Sequence, residues 1–202
     1  MKHLVVISAG LGTPSSTGLL ADRLTDATEA AAGPVTVTRI ELRDLAHQLT
    51  DALLTGFAGE ELAAAQAAVR EADAVIAVTP VFSASYSGLF KTFFDVLEPG
   101  TLDGRPVLLG ATAGTARHSL VLEHAMRPLF TYLHAVVVPS AVFAATDDFG
   151  NDASLAGRIE RAAGELAALL GSGAPVVRRR SVEDEFLDPT PFDELLKQAS
   201  GR

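Results

Sequence analysis

The chain has 202 residues, enough for one well-packed domain with at most a tail. Its formal net charge of -9 argues against a nucleic-acid binder, which needs a basic face against phosphate. It has no Cys, so disulfides, thiolate catalysis and zinc–thiolate sites are excluded, and no apolar run reaches the ~18 residues of a membrane helix.

The start, Met1-Lys2-His3-Leu4-Val5-Val6-Ile7-Ser8, is too short in apolar length for a signal peptide, and Gly and Pro follow it. It reads as a buried strand over 3–8 in a cytoplasmic protein. Next comes Ser8-Ala9-Gly10-Leu11-Gly12-Thr13-Pro14-Ser15-Ser16-Thr17, ahead of a helix over 15–31. Hydroxyls and backbone N–H groups at a helix start form a phosphate cradle. No Lys precedes the final hydroxyl, so this is not a Walker A loop, and Gly10-x-Gly12 is only an incomplete dinucleotide fingerprint. The simpler alternative is that Ser15 or Ser16 caps the helix.

A second strand is expected over 35–40. The polar, mixed stretch 42–58 reads as a long excursion before a helix over 59–72. A third strand, 74–79, runs into Pro80-Val81-Phe82-Ser83-Ala84-Ser85-Tyr86-Ser87-Gly88-Leu89 and then an amphipathic helix over 87–97. This hydroxyl-rich loop has no strong acid or base, so it suits holding a redox ring better than hydrolysing a bond. The fourth strand, 106–112, leads into Gly110-Ala111-Thr112-Ala113-Gly114-Thr115-Ala116-Arg117-His118-Ser119 and a helix over 119–134. Arg117 and His118 at a helix start are unfavourable unless an anion is near. A last strand and helix are expected over 136–143 and 153–170. From Gly171 the pattern breaks, so 1–171 forms the domain and 172–202 a C-terminal appendage, either mobile or packed on a partner subunit.

Strands alternating with helices, without hairpin signals, imply right-handed crossovers and a parallel sheet. Five such strands give an α/β, flavodoxin-like three-layer sandwich of order 2-1-3-4-5. Loops after the first, third and fourth strands then open on one crevice at the switch point, where ligands bind in such sheets. His3, His47, His124 and His134 are not spaced as metal ligands, and no Gly-x-Ser-x-Gly elbow anchors a hydrolase triad.

The run Thr79-Pro80-Val81-Phe82-Ser83-Ala84-Ser85-Tyr86-Ser87-Gly88-Leu89-Phe90-Lys91 resembles the NAD(P)H-dependent FMN reductases, and Thr112 to His118 resembles their Thr-Gly-Gly-Thr-x-x-His segment. The likeness covers about residues 3–145. It is nearest to reductases of two-component systems, in the branch partnered with luciferase-like monooxygenases. The resemblance implies FMN in the crevice, hydride transfer from NAD(P)H, and reduced FMN leaving for an oxygenase. It places Ser8, Ser15, Ser16 and Thr17 on the FMN phosphate. Pro80, Val81, Phe82, Ser83 and Tyr86 would border the isoalloxazine, with Thr112, Gly114, Thr115 and His118 on its other side. No side chain is implied as a catalytic acid or base, and Arg117 is a candidate to balance charge. Phe82 stands where the family has Tyr, Ser83 where it has Lys, and the first loop lacks the family's Arg. A quinone or azo reductase with retained FMN, an electron carrier, and a non-enzymatic domain remain as alternatives.

The helix over 87–97 carries more apolar residues than one sheet-facing stripe can bury. Phe90, Phe94 and Leu97 share one side, while Phe93 and Val96 lie off it. The expectation is a homodimer, or a dimer of dimers, built on that remainder.

Overall fold

A computed structural model describes residues 1–150, 152–171 and 191–199. Strands β1 (Lys2–Ser8), β2 (Val35–Glu41), β3 (Ala74–Phe82) and β5 (Pro106–Ala113) form the parallel body of the sheet, with β6 (Val136–Val137) and β7 (Val142–Ala145) beside β5. The order is β2-β1-β3-β5-β6, with β7 also on β5. This is the expected 2-1-3-4-5 arrangement with its fifth strand divided in two. The division has a side-chain cause. The Arg127 guanidinium donates to the carbonyls of Val138 and Pro139 at 3.2 and 3.0 Å, while Glu165 accepts from the Ser140 amide and hydroxyl, both at 2.7 Å. Backbone groups at the break are satisfied by side chains instead of by the ladder.

Alternation along the strands sorts the core into two layers. Val5, Ile7, Val75 and Ala77 face one side, under α2 (Ala46–Thr55), α3 (Glu60–Glu71), α4 (Gly88–Asp95) and α5 (Arg127–Tyr132). Leu4, Val6, Ile76 and Val78 face the other, under α1 (Ser16–Ala32) and α6 (Asp152–Gly171). Gly110 in β5 keeps α1 close to the sheet, since a Cβ there would lie 3.2 Å from both Leu24 and Val78.

Three elements differ from expectation. The stretch read as an excursion contains α2, ended by Gly56 in the left-handed conformation at φ 79. The loop after β3 is a hairpin: β3 runs on to Phe82, turns through Ser83 and Ala84, and returns as β4 (Ser85–Tyr86). The helix expected over 119–134 is a π-helical turn, Leu122–Met126, running into α5.

The proposed interface on α4 is also corrected. Phe90 and Phe93 are completely buried and Phe94 nearly so. Their rings form one cluster with Phe130 of α5, with centroids 4.8 Å apart for Phe90–Phe94 and for Phe94–Phe130. Helices α2 and α5 cover the face that a helix-to-sheet picture leaves bare, so Phe93 offers nothing to a second subunit.

Of the appendage, 172–190 lies outside the described residues. Phe192–Ala199 forms a helix, α7, with Phe192 and Leu196 exposed. No helix among the described residues is long and apolar enough to cross a membrane.

Candidate active site

The carboxyl ends of β1, β3 and β5 lie side by side. Ser8 is in register with Val78, and Pro80 with Thr112. The chain leaving β1 stays on the sheet for one more residue, as the Ala9 amide donates to the Val78 carbonyl at 3.0 Å. It then makes a tight loop, with a cis peptide between Thr13 and Pro14, and enters α1. Ser15 is the N-cap, in an extended conformation, and its Oγ accepts from the Gly18 amide at 3.1 Å. The capping alternative is therefore correct for Ser15, and Ser16 is the first helical residue. The two are compatible with an anion site, because a helix start leaves further amides without intrahelical acceptors.

The loop is built on absent side chains. A Cβ on Gly10 would fall 2.1 Å from Ser15 Oγ and 3.2 Å from Thr17 Cβ, and one on Gly12 would fall 3.0 Å from the Pro14 carbonyl oxygen. This glycine-lined concavity, with hydroxyls and a helix N-terminus, fits a phosphate in both shape and donor set. It opens into a cavity of about 720 Å³ that reaches Arg43, Thr146 and Phe149. None of these three was singled out from sequence.

Thr17 and Thr112 tie the first and third loops together. Their hydroxyls are 2.8 Å apart, and the residues are 2 % and 3 % exposed. The Thr17 hydroxyl thus already has a protein partner, so its first role is to hold the start of α1 against the end of β5. Thr17→Val keeps the shape and leaves the Thr112 hydroxyl buried without that partner. It is expected to destabilise the fold by about 1–3 kcal/mol. An unchanged urea midpoint would contradict this.

The β3–β4 hairpin forms one wall. Ser83 and Ala84 both have positive φ, 47 and 70, as a two-residue hairpin turn of this hand requires. Neither is Gly, so the tip is held under local strain. It is anchored behind by Thr79, whose Oγ1 accepts from the Ser87 amide at 3.1 Å, while Ser87 Oγ caps α4 through the Phe90 amide at 3.2 Å. Phe82 stands 47 % exposed at the tip. Tyr86 turns away from the tip. Its ring packs 5.8 Å from Phe90, and it lines a separate groove with Phe94, His124 and Tyr132.

In the third loop, Thr112 belongs to β5, and Gly114 and Thr115 follow it exposed. Arg117 and His118 lie in a three-residue 3-10 turn, Ala116–His118, both exposed. A turn that short carries little dipole, so the electrostatic argument for an anion beside Arg117 weakens. Further along, Arg127 forks onto Glu123 at 2.7 and 3.0 Å and holds that carboxyl below its ordinary value.

Comparisons with known proteins give the family. Residues 2–150 match the family model described as NADPH-dependent FMN reductase. The chain belongs to that family. It is accordingly an oxidoreductase whose cofactors are FMN and NAD(P)H. An "FMN reductase (NADPH)" of Pseudomonas aeruginosa is 37% identical over 179 residues, covering 87% of this chain and 96% of the relative. A "NADH-dependent FMN reductase SfnF" of Pseudomonas fluorescens is 38% identical over 173 residues, covering 84% and 92%. Among solved structures, an oxidoreductase from Corynebacterium diphtheriae superposes with a TM-score of 0.82 at 49% identity, covering 84% of this chain and 97% of that one.

Proposed function

We propose that this FMN reductase supplies reduced flavin to a separate, luciferase-like monooxygenase, with its FMN phosphate on the β1–α1 loop. The observation that carries the placement is the glycine-lined cradle at the switch point of the sheet, with the β3–β4 hairpin and the β5 loop on either side. Bound FMN supplies the chemistry by accepting hydride from NAD(P)H.

The protein's residues bind and orient. Ser15 fixes the start of α1, so that the amides of its first turn meet the phosphate, with Ser16 and the Ser8 end of β1 beside them. Pro80, Val81, Phe82 and Ser83 offer an edge of backbone and one exposed ring to the isoalloxazine. Thr112, Gly114 and Thr115 form the opposite edge, and Arg117 puts positive charge at its rim beside the His118 imidazole. Tyr86 stiffens the hairpin from behind. No side-chain acid or base is needed, because hydride transfer leaves only a charge to be stabilised.

Release of the reduced flavin is favoured by exposure of the rim. Gly12, Thr13, Phe82, Ser83, Gly114 and Thr115 all face solvent. The reaction is placed in the cytoplasm, where NAD(P)H is available. A homodimer or dimer of dimers would use the groove beside α4 and α5, where Tyr132 is exposed.

The test is NADH and NADPH oxidation as a function of added FMN, with and without a quinone acceptor. Saturation by added FMN, with reduced FMN accumulating anaerobically in solution, is the expected result. A protein that retains its flavin and turns over only with quinone would be a quinone reductase. One that binds FMN but oxidises neither nucleotide would be an electron carrier, and one that binds no FMN would overturn the placement altogether.

A further inference from the structure

The phosphate cradle lacks a cation of its own. No Lys, Arg or His occurs in residues 8–18, so amides and hydroxyls alone would face a dianion. The cavity that the cradle opens into has one basic residue among its described lining, Arg43. Arg43 follows β2, which the sheet order sets beside β1. The connection is fixed at its root, since the Leu42 amide donates to the Ser8 carbonyl at 2.9 Å and Leu42 is fully buried. From there the guanidinium reaches the β1–α1 loop, and its Nη1 donates to Thr13 Oγ1 at 2.7 Å. A guanidinium carries five N–H donors in a planar fork, and this bond uses one of them.

We infer that Arg43 is the cation of the FMN phosphate site, supplied by the turn after the neighbouring strand instead of by the phosphate loop itself. The inference rests on the proposed seat of the phosphate on the β1–α1 loop. Glu41 and Asp44 flank Arg43 in sequence and line the same cavity, and Asp22 also lines it, although Asp22 is paired with Arg39. With three carboxylates near the mouth, the cation has a second effect: it keeps the local field from repelling the ligand. Thr13 acts as its rest, holding the fork at the loop before the ligand arrives.

Riboflavin separates the phosphate from the ring, because it has the same isoalloxazine and ribityl chain without the phosphate. Fluorescence titration of the full-length protein with FMN and with riboflavin should be done for wild type, Arg43→Ala and Arg39→Ala. Arg39→Ala removes the same charge from β2 itself, away from Thr13. For Arg43→Ala the FMN dissociation constant is expected to rise ~10- to 100-fold, the range for losing a charge-assisted hydrogen bond, with riboflavin unchanged. Arg39→Ala unpairs Asp22 at the mouth, so it should weaken FMN far less than Arg43→Ala does and leave riboflavin unchanged. Equal losses for the two variants would reduce Arg43 to general electrostatics and overturn the inference. So would an Arg43→Ala protein with wild-type preference for FMN, including one whose only defect is a higher KM for NADPH than for NADH. Wild-type protein that binds neither flavin, or binds both equally, would instead overturn the seat of the phosphate.

Discussion

Gly10→Ala is expected to lower FMN affinity by on the order of tenfold to a hundredfold, at 1.4 kcal/mol per factor of ten, in a protein that still folds. The backbone at Gly10 does not have the positive φ that would bar a side chain, so the effect comes from crowding alone. The new methyl would lie 2.1 Å from Ser15 Oγ. Ser15 can rotate away only by giving up its bond to the Gly18 amide, and losing an N-cap costs about 1 kcal/mol. Even then the methyl would sit 3.1 Å from Ser15 Cβ and 3.2 Å from Thr17 Cβ, so the loop must open and the cradle with it. The double variant Gly10→Ala/Ser15→Ala removes the worst contact. Its loss should fall short of the summed single losses, as coupled neighbours require. Flavin titration of the three variants measures this, and wild-type binding by Gly10→Ala would show that the loop is not the phosphate seat.

The largest loss of stability is expected at Phe93. Phe93→Ala should cost about 3–5 kcal/mol, the range for emptying a buried aromatic site. The ring is fully buried and packs edge-on to Phe94 at 5.5 Å, and Phe94 in turn holds Phe130. At roughly 2–4 °C per kcal/mol for a chain of this size, the midpoint of thermal unfolding should drop by about 10 °C. Molecules that remain folded should keep the wild-type mass in light scattering, because Phe93 lies inside one subunit. Dissociation without loss of thermal stability would restore it to an interface.

Phe93 also illustrates how far the sequence could be read. Helical periodicity placed Phe90, Phe93 and Phe94 on α4 correctly, and the strands over 3–8, 35–40, 74–79 and 106–112 were evident from their apolar runs. Periodicity does not say how many neighbours a helix has. Two further helices, α2 and α5, pack around α4, and the first lies in a stretch whose sequence reads as an excursion. Its signal was present in Leu42, Leu45, Leu49 and Ala52, spaced by three and four and all buried. The polar residues between them, including His47, Gln48 and Asp51, obscured it. The hairpin at Ser83-Ala84 is not legible in the sequence because such turns usually carry Gly or Asn, and this one adopts positive φ without either. The three loops of the site were legible because each follows a strand end. Arg43 was not, since it lies thirty positions from Thr13 and they meet only through the adjacency of β1 and β2.

The helix that follows the glycine-lined loop is roofed by an element distant in sequence. Leu20 and Leu24 of α1 share a buried cluster with Leu155, Ile159, Leu166 and Leu170 of α6. A nascent polypeptide that has left the ribosome only as far as Thr146 possesses every loop of the site, yet α1 still shows water the flank that α6 will cover. Each Leu left exposed forgoes about 1.5–3 kcal/mol, a large share of what holds a domain of this size together. Loops made early in translation therefore wait for a helix made after them, and if the phosphate sits on the β1–α1 loop as proposed, the capacity to capture flavin arises only when α6 docks.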